Sequence, residues 1–235
     1  MKGRTFRLQE RARWAKRKIS KIDSSYRFTS DLFDELIREN GGKGKLWLDA
    51  GCGRNQLTEE FKDKYGLAVG VDRGEEGIGR FVRADLSSLP FRGESFDFIT
   101  CKWVMEHIPY PQVMITELKR VLAPGGRLLI QTPNRYHFLN FGSRFLPPFL
   151  KTRLITFFFG THQERFATFY RANTPSELRT ATENLGLRVE RMILNEDLFS
   201  FSRLAFWFSY LFLRLTEGKG GRRFRSSILL LAQRR

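Results

Sequence analysis

Leu46-Trp47-Leu48-Asp49-Ala50-Gly51-Cys52-Gly53-Arg54-Asn55 is the stretch whose reading decides the fold. Leu46, Trp47 and Leu48 make an apolar strand, and Asp49 lies at its carboxyl end. Gly51 and Gly53 carry no Cβ, so the backbone can bend sharply there and come close to a ligand. Helix-forming residues from Gln56 to Tyr65 predict a helix opened by that turn, with its first N–H groups facing the bend. Strand, glycine turn and helix together are the nucleotide-site geometry of an open α/β sheet. Gln56 stands where a dinucleotide fingerprint needs its third glycine, and no Lys-Ser or Lys-Thr follows a suitable glycine to make a P-loop. An acid at the strand end would repel a phosphate; it suits a cationic or zwitterionic ligand.

Length and charge set the outer limits. A chain of 235 residues is long enough for one α/β domain with its own core. A formal net charge of +16 favours acidic partners, either nucleic acid or an anionic membrane surface. Cys52 and Cys101 stand alone, which fits free thiols in a reducing compartment and no metal finger. The stretch Met1 to Arg7 has no apolar run, so a cytoplasmic location is expected, with the inner face of a membrane as the alternative.

Further units follow in order. Leu67 to Asp72 is a second buried strand ending in an acid about twenty residues beyond the glycines, where a ribose-binding carboxylate belongs. Arg80 to Ala84 is a third strand, closed by Asp85 and Leu86. Ser95 to Cys101 is a fourth, leading into Lys102-Trp103-Val104-Met105-Glu106-His107-Ile108-Pro109-Tyr110-Pro111. Val113 to Leu122 reads as an amphipathic helix, stopped by the turn Ala123 to Gly126 before a fifth strand, Arg127 to Gln131. Thr174-Pro175-Ser176-Glu177 starts a helix that Gly186 stops. Leu187 to Leu194 and Ser226 to Ala232 read as the remaining strands. Before the first strand, Ser30 is placed to cap a helix whose face is Leu32, Phe33, Leu36 and Ile37.

Over residues 45 to 134 these motifs resemble, in order, those of class I S-adenosylmethionine-dependent methyltransferases. Val104-x-Glu106-His107-x-x-x-Pro111 is similar to the run found in quinone O-methyltransferases and many glycolipid-cluster methyltransferases. The resemblance implies a Rossmann-like α/β fold: a seven-stranded sheet, mostly parallel, with an antiparallel last strand and helices on both faces. It implies S-adenosyl-L-methionine as cofactor, held by Asp49, Gly51, Cys52, Gly53, Asn55, Asp72, Arg73, Asp85, Leu86, Cys101, Lys102 and Trp103. Asp85 would accept from the adenine amino group, with Leu86 beside the ring. His107 is the candidate general base and Glu106 its partner. Where some relatives place an additional metal-binding acid, this chain has Trp103, so no metal is expected.

The rest of the chain sets the partners. Residues 1–29 are a basic arm or helix, and 30–235 the methyltransferase domain, with aromatic and basic insertions at about 135–173 and 197–225. Neither insertion has an unbroken apolar run of the ~18 residues a spanning helix needs. Leu198 to Leu215, read as a helix, puts Arg203, Tyr210 and Arg214 in one stripe with apolar faces elsewhere. It is expected either packed on the protein or in a membrane interface. His137, His162, Tyr170 and Arg171 are candidates to touch the substrate. The expected activity is O-methylation of a lipophilic or lipid-linked small molecule or glycan, at an anionic membrane surface and with no obligate protein partner. An RNA methyltransferase and a non-catalytic, membrane-associated binding protein are the alternatives, with nucleic acid ranked below the membrane as a partner.

Overall fold

Strand β1, Gly42–Ala50, is central because its last four residues are apolar or satisfied: Trp47, Leu48, Asp49 and Ala50 are all buried. The computed structural model describes residues 2–142, 167–218 and 220–235. Helix α1 is Lys2–Ile22 and α2 is Thr29–Asn40. After β1 come α3, Gln56–Phe61, a 3-10 turn over Lys62–Lys64, β2, Tyr65–Asp72, and β3, Phe81–Arg83. β4, Phe96–Lys102, leads through a 3-10 turn, Met105–His107, to α4, Pro111–Val121, and β5, Leu122–Pro133. α5, Phe138–Gly142, α6, Pro175–Glu183, β6, Leu187–Asn195, α7, Arg203–Leu215, a 3-10 turn, Arg222–Phe224, and β7, Ser227–Arg234, follow among the described residues.

The strands form one seven-stranded sheet in the order β3-β2-β1-β4-β5-β7-β6. β1 to β5 pair in parallel. β7 is antiparallel: its Gln233 amide donates to Gly125 O at the start of β5, and Arg188 at the start of β6 reaches Gln233. The order reverses between β1 and β4, which places a crevice at their carboxyl ends.

The chain divides into two compact units. One comprises Ser30–Pro133, Ala167–Ile193 and Ile228–Arg235 and contains nearly all of the sheet. Its core joins Phe33, Leu36 and Ile37 of α2 to Trp47, Tyr65, Phe98, Leu129, Leu229 and Leu231 of the strands. On another side α4 buries Met114, Ile115, Leu118 and Val121 against β5 and α6. The second unit comprises Met1–Thr29, Asn134–Phe166 and Leu194–Ser227. Ala15 and Ile19 of α1 are buried there with Leu198, Phe206 and Leu213, and Trp14, Tyr26, Phe28 and Tyr210 pack around them. Tyr26 Oη donates to Glu196 O at 2.7 Å, and Asn195 Nδ2 donates to Arg27 O at 2.9 Å.

Several boundaries differ from the sequence reading. The helix expected to Tyr65 ends at Phe61, because Tyr65 pairs with Gly42 and its hydroxyl donates to Ile37 O at 2.7 Å. Ser30 lies inside α2 and is not its cap; the preceding Thr29 starts the helix, and its N–H donates to Asp197 Oδ1. The expected turn at Ala123 to Gly126 falls inside β5, and the β4–β5 register shifts there. Part of the first insertion, residues 143–166 with His162, lies outside the described residues.

Phe98 has no exposed surface and its ring stacks parallel to Tyr65. We expect Phe98→Ala to lower stability by about 3–5 kcal/mol in chemical denaturation, as deletion of a buried aromatic does.

Candidate active site

The turn after β1 is shaped by what cannot fit. Gly51 has φ +77°, and a Cβ there would lie 2.2 Å from Val104 Cγ2. The N–H groups of Gly51 and Cys52 both donate to Val71 O, at 2.8 and 3.1 Å. Gly53 has φ +54° and faces open space. A side chain at 51 would push the turn off the strand ends, whereas the space beside 53 is open to a ligand.

Asp49 is 3% exposed beneath this turn. Trp47 Nε1 donates to Thr100 Oγ1 at 2.9 Å, and that hydroxyl donates to Asp49 Oδ1 at 2.6 Å. Burial pushes the Asp49 carboxyl up to about 6, against the smaller pull of the Thr100 hydrogen bond and of Lys102. Asp72, at the end of β2, accepts from Gly53 N–H through one oxygen and from Gly74 N–H through the other, both at 2.8 Å. Each oxygen keeps a further lone pair, enough for two vicinal hydroxyls. Asp85 accepts from Ser87 N–H and Ser87 Oγ, and with Arg73 at 3.4 Å these hold it below the usual carboxylate range. Leu86 is buried beside it. Burial raises the thiols of Cys52 and Cys101, and Asp49 adds to both, so they stay protonated.

Other expected residues sit differently. Asn55, in the left-handed region at φ 62°, is fully buried, and its amide donates to Ile78 O and Arg80 O. Through these bonds it clamps the turn to the segment before β3. Cys101 has no exposed surface. Lys102 Nζ lies 4.7 Å from the centre of the Phe33 ring, and Trp103, φ 57°, is exposed. His137, expected at the substrate, is 2% exposed, with Nε2 3.2 Å from the fully buried Glu196. It belongs to the interior of the second unit, where Ser226 N–H also donates to Glu196.

Glu106 and His107 form the rim of the crevice. Glu106 is buried and its carboxyl is raised by desolvation. Asn173 Nδ2 donates to Thr132 Oγ1 at 2.6 Å, and that hydroxyl donates to Glu106 Oε2 at 3.3 Å. The carbonyl of Glu106 accepts from the N–H groups of Phe169 and Tyr170. His107 Nδ1 is 3.0 Å from Ala167 O, and Nε2 is 3.9 Å from Glu106 Oε1. A carbonyl only accepts, so the proton of the neutral ring is on Nδ1 and the lone pair on Nε2. Tyr170 is thereby tethered next to Glu106, and Arg171 is exposed beside it. Thr100, Thr132 and Asn173 were not singled out in the sequence. A threonine in a strand and an asparagine before a helix carry no local signal of what they hold.

Residues 48–130 match the family model described as "Methyltransferase domain". A ubiquinone biosynthesis O-methyltransferase from Pseudomonas paraeruginosa is 30% identical over 177 residues, covering 67% of this chain and 71% of that protein. The chain belongs to the class I S-adenosylmethionine-dependent methyltransferases. The protein of the same name from Coxiella burnetii is 32% identical over 164 residues, 63% of this chain; the match spans 65% of that relative's length. The fold agrees with a solved S-adenosylmethionine-dependent methyltransferase from Methanosarcina mazei at a TM-score of 0.54 and 18% identity, covering 85% of this chain and 96% of that one. A geranyl diphosphate C-methyltransferase from Streptomyces coelicolor, solved with Mg2+, geranyl diphosphate and S-adenosyl-L-homocysteine, has a TM-score of 0.54 at 14% identity, covering 88% and 79%. The cofactor of this methyltransferase is S-adenosylmethionine. The turn at Gly53 is open, and Asp49, Asp72 and Asp85 lie at or just beyond the carboxyl ends of β1, β2 and β3.

Two outcomes are expected at this site. Asp72→Ala should weaken cofactor binding by about 1.5–3 kcal/mol, the loss of a charge-assisted hydrogen bond, measured by calorimetry. Because Asp49 is protonated below about pH 6 in the free protein, cofactor affinity should rise as pH increases through that value and then level off. Asp49→Asn should flatten that rise.

Proposed function

We propose that this methyltransferase O-methylates a hydroxyl on a lipophilic small molecule, of the quinol or lipid-linked class, and meets it at an anionic membrane surface. The observation that carries this reading is the Glu106–His107 rim, fixed by residues 167–173, in a chain whose relatives carry the name ubiquinone biosynthesis O-methyltransferase. Bound S-adenosylmethionine supplies an activated methyl group, so positioning of the hydroxyl is the protein's main task. His107 Nε2 takes the hydroxyl proton, while Nδ1–H stays on Ala167 O and fixes the ring. Glu106, 3.9 Å away and low in solvent, stabilises the imidazolium that results. Tyr170 and Arg171 flank the acceptor.

A quinol with a prenyl tail, incubated with S-adenosylmethionine, should give S-adenosylhomocysteine and one methylated product. His107→Ala should lower kcat by about a hundredfold or more, with cofactor affinity by calorimetry unchanged. Full turnover of the variant at every pH would remove His107 as the base.

A further inference from the structure

α7 has two apolar faces on opposite sides. Phe206, Ser209 and Leu213 turn inward and are buried with Ala15 and Ile19 of α1. Leu204, Trp207, Phe208, Leu211 and Leu215 turn outward, and Leu204 and Leu215 are 84% and 74% exposed. At 3.6 residues per turn, these five lie within a stripe about 100° wide. A contiguous outward stripe of this kind is out of place in water.

The flanks of the stripe are cationic. Arg203 stacks on Trp14, and Lys18 Nζ lies over the Trp207 ring at 5.5 Å. Arg203 and Leu204 also border a cleft lined by Arg11, Trp14, Arg17, Ser200 and Ser202, in which Glu10 is the one acid among the described residues. Three guanidiniums and two serine hydroxyls around an aromatic floor suit a phosphate diester, and the cleft opens where the apolar stripe begins. Among the described residues no helix is long and apolar enough to cross a membrane.

We infer that α7 lies in the plane of an anionic phospholipid surface. Leu204, Trp207, Phe208, Leu211 and Leu215 sink among the acyl chains, and Arg11, Arg17 and Arg203 hold headgroup phosphates. α1 is the backing plate that keeps α7 flat and supplies two of the three arginines. The combination explains why so apolar a helix follows Ser202, a good N-cap, and keeps its arginines on one flank, where they reach the headgroup level. This surface extends the lipophilic-acceptor reading of the active site. Vesicle binding is measured without an acceptor, so a chain that binds vesicles but methylates no lipophilic hydroxyl sinks that reading and leaves this one standing.

The test uses the whole chain with vesicles of phosphatidylcholine alone or mixed with phosphatidylglycerol, at low and moderate salt. Co-sedimentation with the mixed vesicles is expected to persist at moderate salt, with a blue shift of tryptophan emission. Phe208→Glu with Leu211→Glu should weaken vesicle binding at least tenfold, and Arg17→Glu should weaken it mainly at low salt. Both variants should keep wild-type cofactor affinity, which shows that they are folded. Wild-type vesicle binding by the Phe208→Glu, Leu211→Glu variant overturns the inference. So does a wild-type chain that ignores vesicles, whether it binds RNA instead or covers the stripe by forming dimers on size exclusion.

Discussion

A carboxyl at the end of a central strand is expensive to bury, and the centre of this sheet is arranged around satisfying one. Asp49 keeps its place because a single hydroxyl, Thr100, faces it from β4 and is itself oriented by the indole N–H of Trp47. Each partner is on a strand in register with the other: Trp47 pairs with Phe98 and Asp49 with Thr100. A one-residue slip of β4 against β1 would turn Thr100 to the opposite face and leave two buried polar groups alone. The hydrogen-bond chain is therefore a register pin for the two strands that flank the crevice, as well as a setting for the acid.

A second relay has the same logic on the rim. Asn173, Thr132 and Glu106 form a buried line beneath His107, and the backbone of Ala167, Phe169 and Tyr170 closes over it. In both places a short polar chain passes through the hydroxyl of a strand threonine and ends on a carboxyl that burial makes more basic. One acid faces the turn, the other faces the histidine. The chemistry is thereby divided between two local environments, each with its own hydroxyl.

Much of the fold was legible because its signals are local. The glycines at 51 and 53, the acids closing β1 and β2, and Thr174 capping α6 each announce a backbone need within a few residues. Thr174 Oγ1 accepts from Glu177 N–H as its position predicts. What was not legible depends on distant partners. Nothing near Asn55 says that Ile78 and Arg80 will take its amide, and nothing near His137 says that Glu196 will bury it. Tyr65 looked helical because its partners, Gly42 and Ile37, lie more than twenty residues away. The basic N-terminal segment is a further case: its charges are local, but Ala15 and Ile19 acquire meaning only against Phe206 and Leu213.

The place of β7 has a consequence for how the sheet is made. It lies between β5 and β6, yet it follows both in the chain. As the polypeptide leaves the ribosome, β3, β2, β1, β4 and β5 can close into a parallel sheet while β6 has nothing to pair with. Only after α7 and the loop beyond it have emerged can β7 enter and join β6 to the rest. Until then the outer face of β5 is an open strand edge, the kind of surface that invites pairing with other chains. Completion of the sheet is thus a late, non-local step, and the exposure of that edge is set by the time taken to synthesise the residues between β5 and β7.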